Sequence, residues 1–173
     1  MTNDGSTRYV IVGVTPGQPE PVLEHAARFA RHFGATLVCA NVDPGSYVVK
    51  EHPDGSVSAL SIDPDLPETT RSATFDPRLA DHVHRVLGHE VHVIFRALAG
   101  ERGQALARLA QTLQAEMIVV GSRHPGFRSS VTEYLGGSVA VHLAHRQHLP
   151  VVVIPVAPVP IGQDLPWEGH DAP

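Results

Sequence analysis

The sequence predicts an α/β domain: a doubly wound, Rossmann-like, five-stranded parallel sheet with helices on both faces, plus a β-hairpin inserted after the second strand. Three observations carry this. Tyr9-Val10-Ile11-Val12-Gly13-Val14, Met117-Ile118-Val119-Val120 and Val151-Val152-Val153-Ile154 are continuous, mostly β-branched runs, as strands buried on both faces require. Between such runs lie segments whose apolar residues recur at helical spacing. Strand and helix alternate four times before a closing fifth strand, an order that demands right-handed crossovers and a parallel sheet.

The elements follow in order. Thr15-Pro16-Gly17 breaks the first strand, and a helix runs from about Glu20 to Phe33. Val22, Ala26, Phe29, Ala30 and Phe33 form its apolar side, and Gly34 stops it. Thr36 to Val42 is the second strand, ended by Asp43-Pro44-Gly45. Asp76-Pro77 supplies an N-cap and a first-turn proline for a helix to about Leu87. Val91 to Leu98 is the third strand, and Gln104 to Leu113 the third helix, with Ala105, Leu106, Leu109 and Leu113 on one side. Met117 to Val120 is the fourth strand, Ser138 to about His145 the fourth helix, and Val151 to Ile154 the last strand.

Residues 43–75 fall outside this scheme, being rich in Asp, Pro and Ser and too long for an ordinary connection. Tyr47-Val48-Val49-Lys50 and Ser56-Val57-Ser58-Ala59-Leu60 flank His52-Pro53-Asp54-Gly55, whose turn chemistry predicts a hairpin over about residues 46–62. The insert leaves the sheet at a carboxyl end, so it is expected beside the ligand crevice or at a subunit contact. The tail, 157–173, carries four prolines and reads as extended, with Trp167 available to pin it. One domain, 1–173, is expected, with its core over 8–156.

Composition bounds the function. Of the 173 residues, 42% are hydrophobic and 18% charged, the balance of a globular chain and not a disordered one. Eighteen acidic against thirteen basic residues give −5, without the basic face of a nucleic-acid binder. No apolar run approaches the roughly 20 residues a bilayer requires, and Met1 to Arg8 is short and polar, unlike a signal peptide. A cytoplasmic protein without membrane attachment is expected. The single Cys39 excludes an intramolecular disulfide and a cysteine-based zinc site, and its place within a strand marks it as a core residue. His82 and His84, two apart on a helix, point in different directions, and His142 and His145 have no carboxylate close in sequence. No metal site is therefore assigned. Neither a Gly-x-Ser-x-Gly elbow nor a Walker A sequence is present.

In an open parallel sheet, ligands bind beyond the carboxyl ends of the strands, where strand order reverses. That rule gathers Thr15-Pro16-Gly17, Val42-Asp43 and the segment from Gly121 to Ser138. Asp43 there reads equally as a turn former and as a ribose or cation ligand. The last segment runs Gly121-Ser122-Arg123-His124-Pro125-Gly126-Phe127-Arg128 and ends in Gly136-Gly137-Ser138-Val139 at a helix start. Glycines let a backbone approach an anion, and Gly137-Ser138 offers N–H groups and a hydroxyl at a positive helix end. Arg123 and Arg128 supply charge for phosphate oxygens. An ordinary serine N-cap accounts for Ser138 as well.

These residues, with Gly100 and Leu149-Pro150-Val151-Val152-Val153-Ile154, resemble the universal stress protein (UspA) family over roughly residues 8–156. In its ATP-binding members a Gly-x2-Gly-x9-Gly-Ser/Thr turn holds phosphates and ribose. By that resemblance Gly121, Gly137 and Ser138 match, Val139 follows, and Val42 corresponds to the residue at adenine. The second glycine of the pattern falls on His124, and the spacer to Gly137-Ser138 is twelve residues instead of nine, leaving Gly126 to provide flexibility. Thr15 stands where the family usually has the Asp that contacts the nucleotide. The resemblance implies an adenine-nucleotide (ATP) binding, stress-response sensor, with Mg²⁺ as a possible companion, and not a turnover enzyme. The alternatives are a member that has lost ATP and acts through protein contacts, or a slow ATPase. It also implies a homodimer paired through the edge strand Val151–Ile154.

Overall fold

The computed structural model describes residues 7–65, 71–122 and 139–163. Their elements are β1 (Tyr9–Gly13), α1 (Glu20–Phe33), β2 (Thr36–Asp43), β3 (Ser46–Glu51), β4 (Val57–Ser61), β5 (Arg71–Ser72), α2 (Pro77–Leu87), β6 (Val93–Ala99), α3 (Arg102–Leu113), β7 (Met117–Gly121), α4 (Val139–Arg146) and β8 (Val151–Ile154). The predicted five-stranded parallel sheet forms, in the order β6-β2-β1-β7-β8. Ile11 lies opposite both Val38 of β2 and Ile118 of β7, so β1 is the strand at which the order reverses.

Alternate residues of each strand feed two cores, because successive side chains point to opposite faces. On one face Val10, Val12, Leu37, Cys39 and Val119 meet Val22, Leu23, Ala26, Ala27 and Ala30 of α1 and Leu79 and Val83 of α2. On the other, Ile11, Val38, Ala40, Ile118 and Val120 meet Leu106, Leu109 and Ala110 of α3 and Leu143 of α4. Each such side chain contributes about 1.5–3 kcal/mol when fully buried. The β-branched runs that predict the strands are thus the material of both cores.

The helix ends show the expected chemistry with one addition. Gly34 closes α1 at φ 58°, and Ala35 N–H donates to the Ala30 carbonyl at 2.8 Å. Asp76 caps α2, accepting from Arg78 N–H at 2.8 Å. Helix α3 begins at Arg102, two residues before the predicted start, because Glu101 acts as its cap. Its two carboxylate oxygens accept from Gly103 N–H at 2.8 Å and Gln104 N–H at 2.7 Å. The third strand of the core starts later than expected, at Val93, with Val91 buried beneath it.

The insert is larger than the predicted hairpin. β3 and β4 pair antiparallel around His52-Pro53-Asp54-Gly55, and β5 adds to β4 through Ser58 and Ser72, giving a separate three-stranded sheet. Asp54 Oδ1 accepts from both the N–H and the hydroxyl of Ser56, at 3.0 and 2.7 Å, which fixes the turn. Gly55 takes φ +81° and lies so close to α3 that a Cβ there would sit 2.5 Å from Leu109 Cδ1. Residues 157–163 contain no helix or strand, and Trp167 lies outside the described residues.

Two outcomes follow. Gly55→Ala forces an L-residue into a left-handed conformation, which costs about 1–2 kcal/mol, and also drives a methyl into Leu109. Thermal unfolding will show a lower midpoint; an unchanged midpoint removes Gly55 from this account. For Glu101, partial burial raises the carboxyl pKa, but the bonds from Gly103, Gln104 and His142 outweigh it and hold the group below the usual glutamate range. A depressed folded pKa gives stability that is present above the unfolded value and lost as pH falls through the folded one. Glu101→Gln will therefore lower stability at neutral pH, by about 0.5–1 kcal/mol for a partly exposed cap, and the gap will narrow on acidification. A gap that widens in acid contradicts the assignment.

Candidate functional site

The carboxyl ends of β1, β2 and β7 converge where the sheet order reverses. The chain leaving β1 is held by two bonds: Val14 N–H donates to the Ala40 carbonyl and Asn41 Nδ2 donates to the Val14 carbonyl, each at 2.8 Å. Thr15 follows, exposed at the rim. Gln18 folds back from the turn before α1, its Nε2 donating to the Gly13 carbonyl at 3.1 Å. Beyond β7, Ser122 N–H donates to the Ile154 carbonyl at 2.8 Å, and Ser122 Oγ accepts from Val156 N–H at 3.0 Å. This second clamp ties the end of β7 to the end of β8.

A cavity of about 130 Å³ opens between these ends. Gly13, Val14, Thr15 and Gln18 form one wall, Ala40 and Val42 another, and Val120, Gly121 and Val139 a third, with Leu106 and Arg102 of α3 below. Of the residues singled out from the sequence, Thr15, Val42, Gly121 and Val139 come together here, although they belong to four different parts of the chain. Arg123, Gly126, Arg128, Gly137 and Ser138 lie outside the described residues. Gly121 has a packing role of its own: a Cβ there would lie 3.0 Å from Val22 Cγ2 and 3.3 Å from Val156 Cγ1.

Two lining residues carry no signal in the sequence motifs. Arg102, in the first turn of α3, brings a guanidinium that makes no salt bridge among the described residues. Gln18 contributes a buried amide whose Oε1 has no hydrogen-bond partner among the described residues. Both stand just past a strand end, and that position, not residue type, was the available clue.

Several other groups are accounted for by structure alone. Asp43 Oδ1 accepts from Gly45 N–H at 2.8 Å and Oδ2 from Ser46 Oγ at 2.7 Å, so it forms the turn into the insert. The positive end of α3 is filled by the Glu101 carboxylate, which also meets His142 Nδ1 at 3.3 Å. His84 stacks edge-on against Phe95, with ring centroids 5.2 Å apart. Burial pushes the Cys39 thiol up to about 12, which makes it an unreactive core residue. No helix among the described residues is long and apolar enough to cross a membrane.

Among the described residues, none of β3, β4 or β5 lines this cavity. The insert packs instead against β6 and α3, on the opposite side of the sheet from β8. Of its two expected places, beside the crevice or at a subunit contact, the insert takes a position one turn of α3 away from the crevice without lining it. Its strands leave β2 at the carboxyl end, but Val48 and Val57 are drawn onto the apolar face shared by α3 and β6.

Comparison with known proteins agrees with this architecture. The chain matches the profile of the Universal stress protein family over residues 7–155. Among solved structures it is similar to a universal stress protein in complex with cAMP, at 19% identity and TM-score 0.57, covering 88% of this chain and 99% of that one. A universal stress protein from Archaeoglobus fulgidus in complex with dAMP is similar at 20% identity and TM-score 0.57, covering 86% and 98%. Universal stress protein UspA from Lactobacillus plantarum is 16% identical, with TM-score 0.50, covering 87% and 99%. At these identities the likeness establishes the fold. No curated protein matches the sequence significantly. The family match spans both layers of helices and the whole parallel sheet, and on that ground the chain belongs to the universal stress protein family.

Proposed function

We propose that the crevice between β1, β2 and β7 binds an adenine nucleotide, ATP in the first instance, and that the protein acts as a nucleotide-responsive stress module and not as a turnover enzyme. The observation that carries this is the convergence of Thr15, Val42, Gly121 and Val139 on one cavity at the point of strand reversal. Two similar structures hold cAMP and dAMP, which supports the adenine class. The space, about 130 Å³, is open to solvent, so the base enters it while the ribose and phosphates extend outward. Val42 packs on the base and the Thr15 hydroxyl bonds its edge or the ribose. The phosphates run past Gly121 toward Val139, where Gly126, Gly137 and Ser138 offer backbone and hydroxyl groups and Arg123, Arg128 and Arg102 offer positive charge. Mg²⁺ shares the charge of the triphosphate. Both oxygens of the nearby Glu101 are already engaged, so it is poorly placed to activate water.

The edge strand β8 is proposed as the homodimer seam. Val153 is 43% exposed there, and an open apolar edge pairs readily. The setting proposed is the cytoplasm, where adenine nucleotides are abundant.

Calorimetry with ATP and Mg²⁺ tests the site. Weak binding is expected, because a threonine in place of a carboxylate forgoes a charge-assisted bond of about 1.5–3 kcal/mol. Thr15→Asp will tighten binding by about tenfold or more, and Gly137→Asp will remove it. Absence of heat at millimolar ATP, or equal binding by the Gly137→Asp variant, rejects the proposal. For the seam, Val153→Lys is the suitable change, because Val152 packs against the α1 core whereas Val153 faces solvent. Light scattering will report a halved mass for that variant; a monomeric parent protein rejects the dimer.

A further inference from the structure

We propose that the half-open cavity between the insert and α3 is a second binding site, for a small neutral amphipathic molecule about the size of one substituted ring. It is separated from the strand-end crevice by the first turn of α3 and has a volume of about 200 Å³. A space of about 150 Å³ already accepts benzene, so a ring with a polar substituent fits here.

The cavity is framed by specific contacts and is not a fault of packing. On one side Gly55 is pressed against Leu109 with no room for a methyl group. Behind the turn, Arg96 Nε donates to the Asp54 carbonyl at 2.8 Å. At the mouth, Arg108 of α3 and Glu51 of β3 form an ion pair at 2.9 Å that spans the gap from helix to insert. The insert is thus joined to α3 at Gly55 and Glu51 and to β6 at Asp54, with the space between them left open. A frame of this kind needs little ordering when a ligand enters.

The lining selects the chemistry. Val57, Leu98 and Leu109, each buried, provide an apolar floor. Gln104 stands above it on α3, and its side-chain amide makes no hydrogen bond among the described residues. The ionisable groups of the lining are already engaged: Arg108 with Glu51, Glu101 with the α3 N–H groups and His142, and His52 through Nε2 with Ser58 Oγ at 3.0 Å. An ion entering this space would lose hydration without meeting an unpaired opposite charge. A neutral molecule with an apolar body and one group that both donates and accepts meets every surface, and a carboxamide is the natural complement to Gln104.

Benzamide is a suitable probe. Titrated at millimolar concentration into the ¹⁵N-labelled full-length protein, it is expected to give saturable amide shifts centred on Gly55, Leu98, Gln104 and Leu109. Gln104→Leu changes an exposed side chain and will weaken binding about fivefold. Ala105→Phe fills the cavity and will abolish the response, while binding of ATP at the strand-end crevice is unchanged in both variants. The ATP response thus separates failure of this site from failure of the nucleotide reading. Lack of saturable shifts in the parent protein, shifts centred on Thr15 and Gly121, or unaltered affinity in the Gln104→Leu variant would each overturn the proposal.

Discussion

The rest of this structure depends on the burial of β1 on both faces. Val10, Ile11 and Val12 have no solvent exposure, and a strand in that position must be flanked by strands and covered by helices above and below. Parallel pairing then requires a crossover for each addition, and two crossovers in opposite directions from β1 create the point of reversal. The crevice is a by-product of that packing: helices diverge to either face just where β1 and β7 end. Gly121 is required at the same point by Val22 and Val156, so a residue that lines the crevice also closes the core beside it.

Electrostatics divides the labour between the helix ends. A helix start carries partial positive charge, and α3 offers one close to the crevice. Its own Glu101 occupies that end and ties it to α4 through His142. What α3 brings to the crevice is Arg102 and Leu106, while the N–H groups of Gly103 and Gln104 are taken up by Glu101. The consecutive residues Glu101 and Arg102 face different cavities, one at the insert and one at the strand ends. A single turn of chain therefore forms the wall between the two.

The fold was legible because its signals are local and strong. The apolar run at Val10 to Val12 and the repeat through Val22, Ala26 and Ala30 each specify an element before any tertiary contact is considered. The hairpin was legible from Pro53-Asp54-Gly55 for the same reason. By contrast β5 consists of Arg71 and Ser72 alone, too short to show a period, and exists through its pairing with β4. The start of α3 is not legible in the sequence, because Glu101 is not among the side chains that favour caps. At the site, Thr15, Val42 and Gly121 were legible from the rule that ligands gather at strand ends. Gln18 and Arg102 reach the same cavity from adjoining turns, a position that spacing along the chain does not encode.

One buried atom has a practical consequence for study of this protein. Cys39 is the only cysteine in the chain, lies at 0% exposure in β2, and has its thiol pushed up to about 12. At neutral pH the thiol therefore stays protonated, and the thiolate that reacts with maleimides or disulfides is disfavoured by burial. The native sequence is thus already silent toward thiol labels. A cysteine placed at any exposed position would be modified alone, giving a single fluorophore or spin label without first replacing a core residue whose loss would leave a void between α1 and the sheet.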